Sequence, residues 1–217
     1  MDEYDSSSRK IKFGFGHSQL TAIGHYNDHG HPHVLHLTLQ RSPFTRAASQ
    51  LLLRLPSILQ SLVRPLCPGW LLPTSLILKK LKPGWDDEFD NEKRMYERLQ
   101  DLQGSTIPFF HGEGRCEGTR ALILSKVNGV EPFNQNDPLP LVDFQDRASV
   151  AFDALRARGV MYDDIKLDNL LITGDRIVLI DLESVWEPED MDYFFKSCVD
   201  NIVRLYNIYL SGLEMDF

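Results

Sequence analysis

The stretch Met161-Tyr162-Asp163-Asp164-Ile165-Lys166-Leu167-Asp168-Asn169, continued by Leu170-Leu171-Ile172, Thr173-Gly174-Asp175 and Arg176-Ile177-Val178-Leu179-Ile180-Asp181, decides how this chain is read. Two short aliphatic runs flank a Thr-Gly-Asp turn, the short-range signature of a β-hairpin. Polar residues crowd just ahead of the first run, and a lone carboxylate ends the second. Asp164 offers a carboxylate to accept or orient a hydroxyl proton, Lys166 an ammonium to offset phosphate charge, and Asn169 an amide oxygen for a hard cation. Asp181 stands seventeen residues beyond Asp164, where an apolar strand delivers it to an edge, so that Asn169 and Asp181 together are placed to hold magnesium. The competing reading is an Asp- and Asn-rich turn before a hairpin, with no chemistry.

Upstream, Leu141, Phe144, Ala148, Ala151 and Leu155 recur at helical spacing until Gly159, which fits a C-terminal cap. Pro132 to Pro140 reads as a linker. Leu71 to Lys80 reads as a buried strand, and from Asp86 a helical period carries Phe89, Glu92, Tyr96 and Leu99 on one stripe. A carboxylate on an apolar stripe is costly to bury without a partner, and Lys79 is the evident one for Glu92. Side chains alternate along a strand, so Lys80 points the other way. Ile107 to Phe110 and Arg120 to Val127 are expected as two further strands, joined by a turn over His111-Gly112-Glu113-Gly114. Phe195, Val199, Ile202, Leu205 or Tyr206, and Tyr209 mark a long closing helix.

Asp-Ile-Lys-Leu-Asp-Asn over 164–169, followed by Ile-Asp-Leu-Glu over 180–183, resembles the catalytic loop and the metal-binding Asp-Phe-Gly of the protein-kinase-like superfamily. The resemblance implies Asp164 as the catalytic aspartate, Lys166 as the lysine beside the transferred phosphate, and Asn169 and Asp181 as the metal ligands. Leu76-Ile77-Leu78-Lys79 resembles the strand whose lysine binds nucleotide phosphates, with Glu92 as the helix glutamate that holds it. Leu122 to Gly129 is similar to the segment whose backbone meets adenine, which places contacts near Ser125 and Val127. The implied fold is α+β and two-lobed: a small antiparallel β-sheet plus one helix in an N-lobe over 71–130, and a minimal, mainly helical C-lobe over 131–217. Residues 1–70 form an extension that shares in the first lobe's sheet or precedes it.

The departures from that family shape the expectation. Tyr162 and Asp163 replace its usual histidine and arginine, which removes the arginine that would pair with a loop phosphate. Leu182-Glu183 replaces Phe-Gly, stiffening the segment while keeping the metal carboxylate. No G-x-G-x-x-G precedes Lys79 closely, and Gly14-Phe15-Gly16 is only a fragment of one, with a simple turn between early strands as the alternative. Only thirty-six residues follow Asp181, which is more like the small RIO-type, lipopolysaccharide-kinase-like and fungal-type kinase-like proteins. A fragment of a larger kinase would account for the same shortness. Asp200 reads as a brace for the catalytic loop or as an exposed helix charge.

Composition narrows the rest. The chain has 217 residues, 42% hydrophobic and 25% charged, ordinary for a folded globular protein. A net charge of -8 argues against a nucleic-acid backbone as partner. The odd, scattered Cys67, Cys116 and Cys198 suggest neither a zinc site nor a disulfide framework, and a reducing, cytoplasmic setting is the default expectation. Leu51 to Leu72, interrupted by Arg54, Pro56, Arg64 and Pro65, is a poor membrane span and a better core or docking helix. His25, His29, His31, His33 and His36 present imidazoles to a metal or lie in a solvated loop leading into a strand. The expected activity is an ATP- and magnesium-dependent transfer of phosphate to a hydroxyl of a protein or small molecule. A pseudokinase, binding nucleotide or scaffolding without transfer, is the alternative.

Overall fold

Alternation of period two runs through Ile11-Phe13-Phe15, Leu35-Leu37-Leu39 and Leu76-Leu78, and these side chains share one buried core. The computed structural model describes residues 8–26, 32–54, 68–163 and 165–215. The chain divides into two compact units, one of Met1–Asp86 with Phe110–Lys126 and one of Asp87–Phe109 with Val127–Phe217.

The first unit holds the expected antiparallel sheet, closed on itself as a six-stranded barrel. Its strands are β1 (Arg9–Phe15), β2 (Ser18–Tyr26), β3 (Val34–Leu39), β4 (Ser75–Lys80), β5 (Phe110–Cys116) and β6 (Thr119–Ser125). They are ordered β1-β2-β3-β4-β6-β5, and β1 closes the circle by pairing Phe15 with Gly114 and Phe13 with Cys116. Residues 9–39 thus supply half of the barrel. Closure depends on Gly114: a Cβ there would lie 2.5 Å from the Gly14 carbonyl oxygen and 3.0 Å from Ile123 Cδ1. The run His111 to Gly114 is therefore strand and not the expected turn, because its glycine serves close backbone approach. The turn falls instead at Glu117 and Gly118, both at positive φ. Gly16 and His17 make the two-residue turn between β1 and β2, so Gly14-Phe15-Gly16 is a strand end and turn. Between β3 and β4 the chain makes the helix α1 (Pro43–Leu53), whose Ser42 side chain accepts a 3.1 Å hydrogen bond from the Thr45 amide as N-cap.

The second unit is mainly helical. It contains α2 (Asp86–Arg98, from Asp87 on), α3 (Leu141–Arg156) and α4 (Met191–Met215). Two short antiparallel pairs accompany them, β7 (Met161–Tyr162) with β10 (Val185–Trp186) and β8 (Leu170–Ile172) with β9 (Ile177–Leu179). The sequence reading grouped α2 with the strands on either side of it; it clusters with the second unit. Phe144, Ala148, Ala151, Phe152 and Leu155 of α3 are buried, as are Val199, Ile202 and Tyr206 of α4. The Tyr206 ring stacks on Phe144 at 3.8 Å. α3 ends in a Schellman-type pair, with the Val160 amide donating to Leu155 O and the Gly159 amide to Arg156 O, and Gly159 takes φ 73°. No helix among the described residues is long and apolar enough to cross a membrane.

Candidate functional site

The hairpin β8–β9 is in the register Leu170 with Leu179 and Ile172 with Ile177. One step further out, the Ile180 amide donates to Asn169 O at 2.9 Å. Asn169 and Asp181 consequently share one end of the hairpin. Asn169 closes a single 3₁₀ turn, Leu167–Asn169, held by its own amide on Lys166 O at 3.1 Å. Asp181 adopts a left-handed backbone, φ 62° and ψ 70°, which a non-glycine residue takes only when its surroundings hold it there. Two braces lie on either side. The Tyr162 hydroxyl donates to Ile180 O at 2.9 Å, and the Asn91 amide nitrogen of α2 donates to Glu183 O at 2.9 Å and Val185 O at 2.8 Å.

Those bonds bring the turn after Asp181 onto α2, one residue from Glu92. Carboxylate oxygens of Glu92, Asp181 and Glu183 all lie within 4.8 Å of one another, Glu92 buried and the other two half-buried. Among the described residues this is the group of three that could hold a metal ion. Like charges this close repel one another, and a cation among them lowers that cost. Three carboxylates supply the hard oxygen donors that magnesium prefers. The surroundings feel the charge: burial first, then Glu92, Tyr162 and Asp181, push the Tyr96 phenol well above its ordinary value. Burial, Asp181 and Glu92 do the same to Tyr162. Both hydroxyls therefore stay protonated at neutral pH. Burial and the Asp163 carboxylate push the Cys198 thiol up to about 11, and its sulfur lies 3.4 Å from Tyr162 O as donor.

The site residues read from the sequence are distributed as follows. Glu92, Asn169 and Asp181 belong to the second unit; Lys166 is exposed and Val127 half-buried there. Lys79, only 7% exposed, and Ser125 at the end of β6 belong to the first unit, and the chain passes to the second between Lys126 and Val127. Lys80 lies on the opposite face of β4 from Lys79 and pairs with Glu117 at 3.0 Å. Asp164 lies outside the described residues. Of the histidines, His25 and His36 face each other across β2 and β3 with rings stacked at 5.3 Å, while His29 and His31 also lie outside the described residues. Asp200 is exposed. The sequence reading missed Glu183 as a member of the carboxylate group and Asn91 as a brace. Glu183 stands two residues after Asp181, and only the 3₁₀ turn Leu182–Ser184 turns it back toward Asp181.

No protein-family model matches the chain, and no curated protein matches it in sequence. Solved structures do match it in three dimensions. A point mutant of the PknI kinase domain of Mycobacterium tuberculosis superposes with a TM-score of 0.50 at 18% identity, covering 87% of this chain and 66% of that domain. The unmutated PknI kinase domain superposes with a TM-score of 0.49 at 18% identity, covering 81% and 62%. The chain thus spans just under two thirds of the first of these domains. At this level of identity the likeness is one of fold, and the chain has a protein-kinase-like fold.

Proposed function

We propose that the chain is an ATP- and magnesium-dependent phosphotransferase that moves the terminal phosphate to a hydroxyl of a protein or small molecule. The observation that carries this reading is the meeting of Glu92, Asp181 and Glu183 at the hairpin end that also bears Asn169. When bound, magnesium would neutralise charge on the phosphates during transfer. In this reading Asp181 and Asn169 hold the metal, and Glu183 adds a third oxygen donor. Asp164 orients the acceptor hydroxyl, and Lys166 offsets charge on the phosphate in flight. Lys79 fixes the nucleotide phosphates and Glu92 fixes Lys79, while backbone near Ser125 and Val127 meets the adenine. Catalysis is then chiefly positioning and charge stabilisation.

A specific observation favours a second reading, a pseudokinase that binds or scaffolds without transfer. No G-x-G-x-x-G lies shortly before Lys79, where the kinase resemblance calls for a phosphate-covering loop, and Gly14-Phe15-Gly16 is a strand end and turn. Thermal unfolding with and without ATP and magnesium, paired with turnover of labelled ATP, separates the two. A ligand at about 100 times its Kd adds ~2.7 kcal/mol, a rise of several degrees. The phosphotransferase reading expects a magnesium-dependent rise that Asp181→Ala abolishes, and turnover that Asp164→Ala abolishes. A rise without turnover moves the assignment to a nucleotide-binding pseudokinase, and no rise in a folded sample removes the phosphotransferase and leaves the scaffolding form of the second reading.

A further inference from the structure

Between Asp28 and Asp86 the chain has no acidic residue, yet it carries Arg41, Arg46, Arg54, Arg64, Lys79, Lys80 and Lys82, in a protein whose overall charge is -8. Much of this basic stretch is the connection 40–74 between β3 and β4. Adjacent antiparallel strands need only a few linking residues, so an excursion of this length is an element with its own task. Its two ends are tied at the barrel: the Leu39 amide donates to Thr74 O at 2.8 Å, and the Arg41 guanidinium to Leu72 O and Gly69 O.

Within it, α1 presents three distinct stripes. Thr45, Ala48, Ser49 and Leu52 are the more buried side. Phe44, Ala47 and Leu51, at spacings of three and four, form a second apolar stripe that is open to solvent, with Phe44 74% and Leu51 65% exposed. Alongside it run Arg46, Gln50 and Arg54, each four residues apart and exposed. The Trp70 ring meets Phe44 edge-on at 6.5 Å, extending the apolar strip with an aromatic group. A helix with an exposed apolar stripe, flanking arginines and no acidic residue matches the water–bilayer interface, where apolar side chains enter the acyl boundary and cations meet anionic headgroups.

We propose that α1 seats this chain on an anionic lipid surface, with Phe44 and Leu51 inserting and Arg46 and Arg54 facing the headgroups. The charge pattern selects this occupant over an apolar protein groove, which would not call for a long stretch free of carboxylates. The docking is peripheral and independent of the site around Asp181.

The test is co-sedimentation of the full chain with vesicles of phosphatidylcholine alone or with about a third phosphatidylserine. The wild type is expected to pellet with the anionic vesicles, to be released by added salt, and to stay in solution with the neutral ones. Phe44→Ser with Leu51→Ser, and separately Arg46→Glu with Arg54→Glu, are expected to weaken partitioning by at least about tenfold. All four side chains are exposed, so thermal unfolding of both variants should match the wild type. No pelleting with anionic vesicles overturns the proposal, as does equal pelleting of either variant and the wild type. Self-association in light scattering that Phe44→Ser with Leu51→Ser abolishes, in a protein that ignores vesicles, overturns it in favour of a second copy as the occupant.

Discussion

The Tyr162 hydroxyl donates a 2.9 Å hydrogen bond to the carbonyl oxygen of Ile180, the residue just before Asp181. Strand β7, which packs against both α3 and α4, thus reaches directly to the backbone that sets the left-handed turn at Asp181. Tyr162 is fully buried, so its phenol has no water to turn to in exchange. Tyr162→Phe keeps the ring and its edge contact with Phe152 but removes the bond. The expected cost is about 1–2 kcal/mol in urea unfolding. Under the proposed activity, the magnesium-dependent thermal rise should shrink without vanishing, because the carboxylates remain. An unchanged urea midpoint would show that the bond does not brace Asp181.

His36 makes the barrel sensitive to acid. Burial, the Lys126 ammonium and the neighbouring His25 lower its pKa to about 4, from 6.5 in the unfolded chain. Between those values the unfolded chain takes up a proton that the folded barrel refuses. Stability from this residue is therefore complete above about pH 6.5 and is lost as the pH falls toward 4. The full shift would amount to about 3 kcal/mol, which partial exposure reduces to about 1–2 kcal/mol. Urea unfolding at neutral and acid pH should show a smaller acid loss in His36→Gln than in the wild type. An identical loss in both would place the acid sensitivity elsewhere.

Gly114 and Gly118 lie four residues apart and should respond differently to alanine. At Gly114 the new methyl would press on the Gly14 carbonyl across the closing strand pair, where backbone on both sides leaves little room to yield. Overpacking of this kind costs about 3 kcal/mol or more. At Gly118 the methyl meets nothing within 4 Å, and only the positive φ of 82° is penalised, by about 1 kcal/mol. Thermal unfolding of the two variants should rank them in that order. The reverse ranking would mean that the β1–β5 seam is not tight in solution.

Elements whose signal is local were legible in the sequence. The hairpin β8–β9 was visible because Thr173-Gly174-Asp175 separates two aliphatic runs, and α2 because Phe89, Glu92, Tyr96 and Leu99 keep a strict stripe. The burial of Glu92 and the opposite directions of Lys79 and Lys80 followed from the same periodicities. β2 was not visible, since its inward positions after Leu20 are Ala22 and Gly24 and show no hydrophobic alternation. They are small because β3 fills that space: a Cβ on Gly24 would lie 2.4 Å from Leu37 Cδ2. β5 was misread for a related reason, since glycines that let strands approach look like turn formers. Closure of the barrel by β1 and β5 joins residues about a hundred positions apart, and no window of sequence contains it. The same holds for the approach of Glu92 to Asp181 and Glu183, which depends on Asn91 reaching across to two carbonyls of a distant turn.

Barrel closure has one more consequence. With β1 paired to β2 along Arg9–Phe15 and to β5 through Phe13–Phe15, the six described strands form one circle without an end strand. The circle gives a peptide, or a neighbouring molecule growing a fibril, no end strand on which to add. Closure thus directs recognition by the barrel toward its side chains and connections. Removal of β1 would change that at once, uncovering β2 on one flank and β5 on the other. A truncation beginning near residue 17 would turn a self-sealed element into one with two adhesive edges.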